Sequence, residues 1–356
     1  MNIRSYRRTY GVSFASVPEM ISEIRGLKNT FAVIDKNIVG LYGKYLEGLF
    51  GDNVFILDAT ENNKTLDVSR EIIERIVKLE SRKETNIVVI GGGITQDVSC
   101  FAASVLYRGV DWYFVPTTLL AQADSCIGSK SSINMIPYKN LIGTFYPPKK
   151  IIICTEFVST LPDKEFKSGL GEIAKCALLS GKEAFAEFAG NVDDILAGDR
   201  EKLQLGIMRT LTYKKGLIEI DEFDEGIRNI LNYGHTFGHA MESASEYRIP
   251  HGQAVSMGML VANSVSAKRG YITKEYNRSA FGVIAKLLSK ELIAGDIFDP
   301  AMMLPRMKRD KKYQGSHNCI LLGEKGAEKL PVPESEIITA LKDVKDSLSR
   351  HLKINI

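Results

Sequence analysis

The feature that most constrains the fold is an alternation of short apolar runs with amphipathic stretches in the first half of the chain. Four runs are typical of buried strands: TFAVIDKN, NVFILDA, NIVVIGGG and DWYFVPTT. Apolar residues recur at helical spacing in the stretches between them, VGLYGKYLEGLF, TLDVSREIIERIVKLE and TQDVSCFAASVLY. Strand–helix alternation of this kind predicts a parallel sheet covered by helices.

The second half has a different pattern, because strands almost disappear after about residue 160. Helices are predicted over DKEFKSGLGEIAKCALL, EKLQLGIMRTLTYKKGLIEI, IRNILNYGHTFGHAMESASEY, GQAVSMGMLVANSVSAKRG and SEIITALKDVKDSLSRHL, with one hairpin at HNCILLGEKGAEKL. A length of 356 residues suits two domains. We expect an α/β dinucleotide-binding domain over 1–160 and a mostly α-helical metal- and substrate-binding domain over 161–356.

Composition excludes several classes of function. The net charge is +3, too close to neutral for a nucleic-acid or membrane-surface protein. No apolar run reaches the roughly 18 residues of a membrane helix, and the start of the sequence lacks a signal-peptide pattern. The five cysteines are widely spaced and form no CxxC pair, which indicates free thiols in a reducing compartment. We therefore expect a cytoplasmic protein.

A glycine turn and an acidic residue suggest a dinucleotide. Gly91, Gly92 and Gly93 follow the third predicted strand and open a helix, so the backbone can approach a phosphate closely. A strand–helix turn without a ligand would have the same sequence. Asp35 ends the first of the four runs, where a carboxylate can accept hydrogen bonds from a ribose diol and repel a 2′-phosphate. Together they favour NAD over NADP.

Three of the five histidines lie in NYGHTFGHAMESASEYRIPHG. His235 and His239 are four residues apart and share a helix face, on which Asn232 and Glu242 are also expected. His251 follows Pro250 and is expected to begin the next helix. Three histidines in one helical hairpin favour a metal site, which a carboxylate such as Glu172 would complete. The spacing alone does not choose among the three.

Several lysines and arginines, the first three of them beside small, turn-like residues, are together expected to line a pocket for a small polyanion. They are Arg108, Lys130, Lys139, Lys175, Lys214, Arg228, Lys311 and Lys312. Solvated surface charges would account for each of them taken singly.

Taken together, the motifs resemble those of the dehydroquinate synthase branch of the sugar phosphate cyclases. They are GGGITQD, YRGV, PTTLLAQADSCIGSK, YKNLIGTFYPP, STLP, GLGEIAK, DEFDEGIRNILNYGHTFGHAMES, PHGQAVSMGM and RDKK, in the order of the family. Four positions depart from the family pattern. Gln96 and Cys100 replace common glycines, Ser129 replaces the middle glycine of GGK, and Cys154 replaces a common Asp, which indicates a divergent member.

The resemblance implies a role for each matching residue. The metal ligands are Glu172, His235 and His251, which moves His239 to the substrate. The NAD contacts match Asp35, Asn37, Glu61, Lys64, Gly91, Gly92, Gly93, Asp97, Thr117, Thr118 and Leu120, with Phe157, Thr160 and Glu165 on the adenosine side. The substrate set is Asp124, Lys130, Lys139, Asn140, Lys175, Lys214, Arg228, Asn232, His239, Lys311 and Lys312, and several of its members also border the cofactor. Arg108 matches an arginine that reaches the phosphate pocket of a neighbouring subunit, which implies a homodimer.

The implied reaction releases phosphate from 3-deoxy-arabino-heptulosonate 7-phosphate and closes a carbocycle, with recycled NAD and a divalent metal, Zn or Co. Related cyclases act on sedoheptulose 7-phosphate, glucose 6-phosphate or an amino analogue, and these substrates remain alternatives. A metal-dependent NAD polyol dehydrogenase is the alternative from another class, since such enzymes share the two-domain plan. Lys214, Arg228, Asn232 and His239 all fit the pattern for the carboxylate substrate.

Overall fold

The structure, a computed structural model, describes residues 1–135, 138–293, 295–308, 316–354 and 356. They form two compact units. The first comprises Met1–Leu161 and Lys214–Glu225, and the second comprises Pro162–Tyr213 and Gly226–Ile356. None of the described helices is long and apolar enough to span a membrane.

The first unit is built on a seven-stranded sheet in the order β1-β2-β9-β6-β5-β3-β4. All neighbouring strands are parallel except β1, which runs antiparallel to β2. The strands are β1 (Asn2–Arg4), β2 (Thr9–Phe14), β3 (Thr30–Asp35), β4 (Val54–Leu57), β5 (Asn86–Gly91), β6 (Trp112–Pro116) and β9 (Lys150–Ile153), and β7 (Ile133–Met135) and β8 (Tyr138–Ile142) form a separate hairpin. The helices are α1 (Val17–Arg25), α2 (Lys36–Leu46), α3 (Leu66–Val77) and α4 (Gly93–Val105).

The predicted parallel α/β sheet is confirmed, and the four apolar runs are β3, β4, β5 and β6. The reason is burial, because every residue of β6 and all but the first residue of β3 and of β5 are buried. Strands β1, β2 and β9, which extend the sheet beyond β6, were not predicted from the sequence. β1 and β9 are short, with three and four residues, and exposed or half-buried residues interrupt the apolar pattern of β1 and β2.

The second unit is mainly helical, as predicted. Its helices are α5 (Asp163–Leu179), α6 (Lys182–Leu196), α7 (Arg200–Ile218, whose last residues belong to the first unit), α8 (His235–Ala244), α9 (His251–Lys268), α10 (Lys274–Lys286), α11 (Pro300–Met307) and α12 (Glu334–Leu352). The expected hairpin is present as β10 (Ser316–Gly323) and β11 (Gly326–Pro333). All five cysteines of the chain are free and buried.

Two glycines on α9 allow its neighbours to approach closely. A Cβ on Gly252 would lie 1.9 Å from the carbonyl oxygen of Ser168 on α5, and one on Gly258 would lie 2.0 Å from that of Gly234, which precedes α8. These contacts are backbone to backbone, so a side chain cannot move aside to relieve them. Helices α5, α8 and α9 therefore pack together at distances that only glycine permits.

We predict that Gly258→Ala destabilises the second unit by about 1–3 kcal/mol, the usual cost of overpacking a rigid contact. Gly190→Ala is the matched control, because Gly190 lies in α6 and a Cβ there meets nothing within 4 Å. The control is expected to gain about 0.5–1 kcal/mol from helix propensity. Urea unfolding of both variants measures the difference, and equal effects would contradict the packing argument.

Candidate active site

The histidine cluster lies in the second unit, where α8 meets α9. His235 begins α8, His239 follows one turn later, and His251 begins α9 as expected. Their candidate ligand atoms all lie within 4.8 Å of one another. Ring centroids are 5.1 Å apart for His235 and His251, and 5.3 and 5.6 Å for the pairs with His239. Geometry thus groups all three rings.

The predicted start of the first helix in this helical hairpin is wrong. The sequence predicts a continuous helix from Ile227, but Ile227–Asn232 forms a 3-10 helix and Gly234 adopts a left-handed φ of 80°. This left-handed residue interrupts the helical path, so α8 starts at His235. Asn232 therefore does not share a helix face with the histidines, whereas Glu242 lies on α8 as expected.

Glu172 lies at the centre of α5 and is completely buried. Its Oε1 lies 3.5 Å from Nε2 of His251, and its Oε2 forms an ion pair with Lys175 one turn later on the helix. Within the described part of the chain, neither oxygen accepts a hydrogen bond of acceptable geometry. A buried carboxylate of this kind needs positive charge nearby. Lys175 supplies one positive charge, and a metal cation bound beside the carboxylate would supply more.

Hydrogen bonds at Nδ1 fix the ring orientations of two histidines. Nδ1 of His235 lies 3.2 Å from the carbonyl oxygen of Tyr233, and Nδ1 of His251 lies 3.2 Å from Oε2 of Glu242. Both oxygens are acceptors, so each Nδ1 carries the proton and each Nε2 has a free lone pair. Carboxylate and carbonyl partners of this kind orient metal-binding histidines. No such ring hydrogen bond to His239 occurs among the described residues.

Charge around the cluster also suits a cation. Burial tends to lower the pKa of His251, but the hydrogen bond to Glu242 and the charge of Glu172 outweigh it and raise that pKa. Burial, followed by the charge of Lys175, holds the pKa of His235 well below its usual value. The donor set that the resemblance implies, two imidazoles and one carboxylate, is typical of a zinc or cobalt site with an open position. The residues therefore fit a divalent metal.

The first unit places the expected dinucleotide residues at the carboxyl ends of adjacent strands. Asp35 ends β3, Gly91 ends β5, and Thr117 follows β6 and donates its N–H to the carbonyl oxygen of Gly91 at 3.0 Å. A Cβ on Gly92 would lie 2.8 Å from Thr118, so backbone and threonine side chain nearly touch. The edge of a parallel sheet beside a helix N-terminus is where dinucleotides bind.

Asp35 also has a local structural role, because its side chain accepts from the N–H of Asn37 at 2.8 Å and caps α2. Burial is the main reason why the pKa of this carboxyl is raised. Leu120 lies in the turn after β6, directly before the π-helical turn Ala121–Ser125. Phe157 is buried in the core beside Tyr42, and Thr160 lies 3.3 Å from the Tyr42 hydroxyl. Glu165 lies in the first turn of α5, in the second unit.

A polar network joins five of the expected residues around the β7–β8 hairpin. Nζ of Lys64 lies 2.6 Å from Oδ2 of Asp97 and donates to Oδ1 of Asn140 at 2.7 Å. Nζ of Lys139 lies 3.7 Å from Oε1 of Glu61. Ser132 and Asn134 complete the network: Ser132 donates to Asp97 and Asn140, and Asn134 donates to Glu61. Both lie shortly after Lys130, between two of the quoted motifs, and no role was predicted for them from the sequence.

Two further cations of the first unit are held by carboxylates. Lys130 lies 2.6 Å from Oδ2 of Asp224, and buried Lys214 contacts both Oδ1 and the carbonyl oxygen of Asp124 at 2.9 and 2.5 Å. In the second unit, Lys175 and Arg228 are buried and Asn232 is exposed. Arg108 is exposed on a turn after α4. Lys311 and Lys312 lie outside the described residues.

Two family models match the chain in succession. The N-terminal model of 3-dehydroquinate synthase matches residues 54–168 and the C-terminal model matches residues 169–313. The 3-dehydroquinate synthase of Saccharophagus degradans is 33% identical over 341 residues, covering 94% of this chain and 92% of the relative. That of Dictyoglomus turgidum is 37% identical over 303 residues, covering 83% of each. The chain belongs to the 3-dehydroquinate synthase family.

Solved structures agree with this membership. A 2-deoxy-scyllo-inosose synthase complexed with carbaglucose-6-phosphate, NAD+ and Co2+ is 25% identical, with a TM-score of 0.83 over 96% of this chain and 99% of that chain. A 2-epi-5-epi-valiolone synthase from Streptomyces hygroscopicus, with NAD+ and Zn2+ bound, shares the fold at a TM-score of 0.85, 23% identity and coverage of 97% and 99%. Dehydroquinate synthases are phosphorus–oxygen lyases, so the chain is an enzyme of that type.

We predict that His235→Ala and His251→Ala each lose bound metal, because each removes one of the three protein ligands that the resemblance implies. His239→Ala should keep the metal and lose turnover. Metal content is measured after dialysis against a chelator and reloading with Zn2+ or Co2+. His351→Ala, an exposed histidine of α12, is the control and should retain metal and activity. Metal loss in His239→Ala alone would contradict the assignment.

Proposed function

We propose that the protein is a 3-dehydroquinate synthase that converts 3-deoxy-arabino-heptulosonate 7-phosphate to a carbocycle with release of phosphate, using recycled NAD and a divalent metal. The observation that carries this proposal is the completely buried Glu172, whose Oε1 lies 3.5 Å from Nε2 of His251, in a histidine cluster where the rings of His235 and His251 are both oriented by hydrogen bonds at Nδ1. Family membership and the two neighbours with NAD+ and Co2+ or Zn2+ support it. The small polar substrate is expected to be the only partner apart from a second copy of the chain.

The metal would be held by Glu172, His235 and His251, and when bound it would polarise substrate hydroxyl groups. Asp35, Gly91–Gly93 and Thr117 would hold NAD at this strand edge, where it would supply reversible hydride transfer. The ketone formed in between acidifies the neighbouring C–H, which allows phosphate elimination. Ring opening and an intramolecular aldol closure then follow.

The chain's own groups bind and orient the substrate. Lys130, Lys139, Lys175, Lys214 and Arg228 supply positive charge for phosphate and carboxylate groups, as do Lys311 and Lys312. Asp124, Asn140 and Asn232 supply hydrogen bonds, and His239 lies close enough to the metal ligands to contact a bound substrate. Arg108 would reach the phosphate pocket of a neighbouring subunit in a homodimer. Positioning of this kind accounts for much of catalysis when the substrate carries its own reacting groups.

Cofactor use separates this proposal from a polyol dehydrogenase, whose fold is also similar: a glycerol dehydrogenase from Schizosaccharomyces pombe has a TM-score of 0.65 at 17% identity. We predict that substoichiometric NAD supports many rounds of phosphate release with no net gain in NADH absorbance, because the hydride is returned in every cycle. Purified protein, metal, NAD and the heptulosonate phosphate make up the assay. NADH accumulating in proportion to product, or on glycerol alone, would place the protein with the dehydrogenases.

Substrate choice is tested through Arg228, which is buried in the second unit. The arginine fork suits a carboxylate, and charge-assisted hydrogen bonds of this type contribute roughly 1.5–3 kcal/mol. We predict that the wild type prefers the keto acid phosphate over sedoheptulose 7-phosphate, which lacks the carboxylate. Arg228→Ala should lower kcat/KM for the keto acid phosphate about 10- to 100-fold, and so remove most of the preference.

The measurement is kcat/KM for both substrates, with NAD and metal binding checked separately. Arg209→Ala is the control, since Arg209 is exposed on α7 and pairs with Glu187 at 3.2 Å. Turnover of sedoheptulose 7-phosphate alone by the wild type would leave a sugar phosphate cyclase but refute the dehydroquinate assignment.

A further inference from the structure

The turn that carries Arg108 is strained. After α4 the backbone passes through Tyr107, Arg108 and Gly109 with φ angles of 50°, 66° and 118°. Residues with a side chain rarely adopt positive φ, because Cβ approaches the backbone too closely. Two such residues in succession persist only where the surroundings hold them, and strain of this kind gathers at functional positions.

The loop between β1 and β2 supplies the restraint. Nη2 of Arg7 donates to the carbonyl oxygen of Arg108 at 3.0 Å, and the Arg7 guanidinium lies 4.6 Å from the centre of the Tyr146 ring. The Tyr146 hydroxyl donates to the carbonyl oxygen of Val110 at 2.8 Å. A Cβ on Gly109 would lie 2.4 Å from Nη2 of Arg7 and 2.8 Å from the Tyr146 hydroxyl. Arg7 and Tyr146 therefore close over the turn from one side.

The loop is itself fixed to the first unit. Nη1 of Arg8 lies 2.6 Å from Oδ1 of Asp111, whose Oδ2 lies 2.7 Å from Nζ of Lys149. The backbone N–H of Tyr6 donates to Glu222 at 2.6 Å. Because Tyr6 and Arg8 are both held in place, the backbone of Arg7 is fixed, and its guanidinium can bind the turn in one position.

We propose that Arg7 is a positioning residue for Arg108. It touches neither substrate nor cofactor; it binds the Arg108 carbonyl, keeps the turn left-handed and so fixes the direction in which the Arg108 side chain projects. The ligand that Arg108 would bind in this orientation is a phosphate group. This inference rests on the proposed role of Arg108 in binding the substrate phosphate.

The test measures binding of inorganic phosphate by titration calorimetry to the enzyme loaded with NAD and divalent metal. Arg7→Met keeps the length of the side chain and removes its donors. We expect its dissociation constant for phosphate to rise about 2- to 10-fold, as for loss of one hydrogen bond, with NAD affinity unchanged. Arg7→Lys retains one donor and should show a smaller rise. Arg4→Met, an exposed arginine of β1 that pairs with Glu219 away from the turn, is the matched control and should bind phosphate normally.

A double-mutant comparison shows whether Arg7 acts through Arg108. If it does, adding Arg7→Met to Arg108→Ala causes no further loss of phosphate binding. Full additivity, or equal losses in Arg7→Met and Arg4→Met, would overturn the inference. Weakened binding in Arg108→Ala with normal binding in Arg7→Met would overturn it and leave the proposed function intact. Normal binding in Arg108→Ala would instead refute the assigned role of Arg108, and the inference with it.

Discussion

A completely buried carboxylate has to be compensated, and Glu172 imposes that requirement on the second unit. Removing an ionised carboxylate from water costs several kcal/mol, which only nearby positive charge and good geometry repay. Lys175 on the same helix provides that charge, and His251 at the start of α9 lies beside the carboxylate. The three helices that meet here can do so only because Gly252 and Gly258 have no side chain. A metal bound at this cluster would therefore link metal affinity to helix packing.

In the first unit, the charged groups of interest are lysines, and each is paired with an aspartate. Lys64, Lys130 and Lys214 each lie within 3 Å of an oxygen of Asp97, Asp224 or Asp124, so these cations are already fixed in position. A phosphate or carboxylate that reaches them meets oriented donors and competes with a carboxylate for each. Pre-oriented donors stabilise developing charge without having to reorganise. The pairing is in keeping with a net charge of only +3.

The sequence predicted most of the sheet because β3, β5 and β6 are buried along almost their whole length, which leaves a continuous apolar run. It predicted the histidine cluster because three histidines stand together in a chain with five. The break at Gly234 was missed, since the apolar spacing around it continues to look helical. Glu172 was a candidate for completing the metal site, but only the family resemblance assigned it that role, because no local pattern relates it to histidines more than sixty positions away. Ser132 and Asn134 were missed for the same reason: their partners Asp97 and Glu61 are distant in sequence.

The burial of all five thiols has a practical consequence. Loss of hydration is the main cause that raises the pKa of Cys126, Cys154 and Cys319 to about 12, so few thiolates form at neutral pH. An alkylating reagent can then react only when the chain opens. Cys154 and Cys319 lie in different units, so the order in which they are labelled would report which unit opens first. Alkylation of the native cysteines therefore reports local unfolding without an engineered probe.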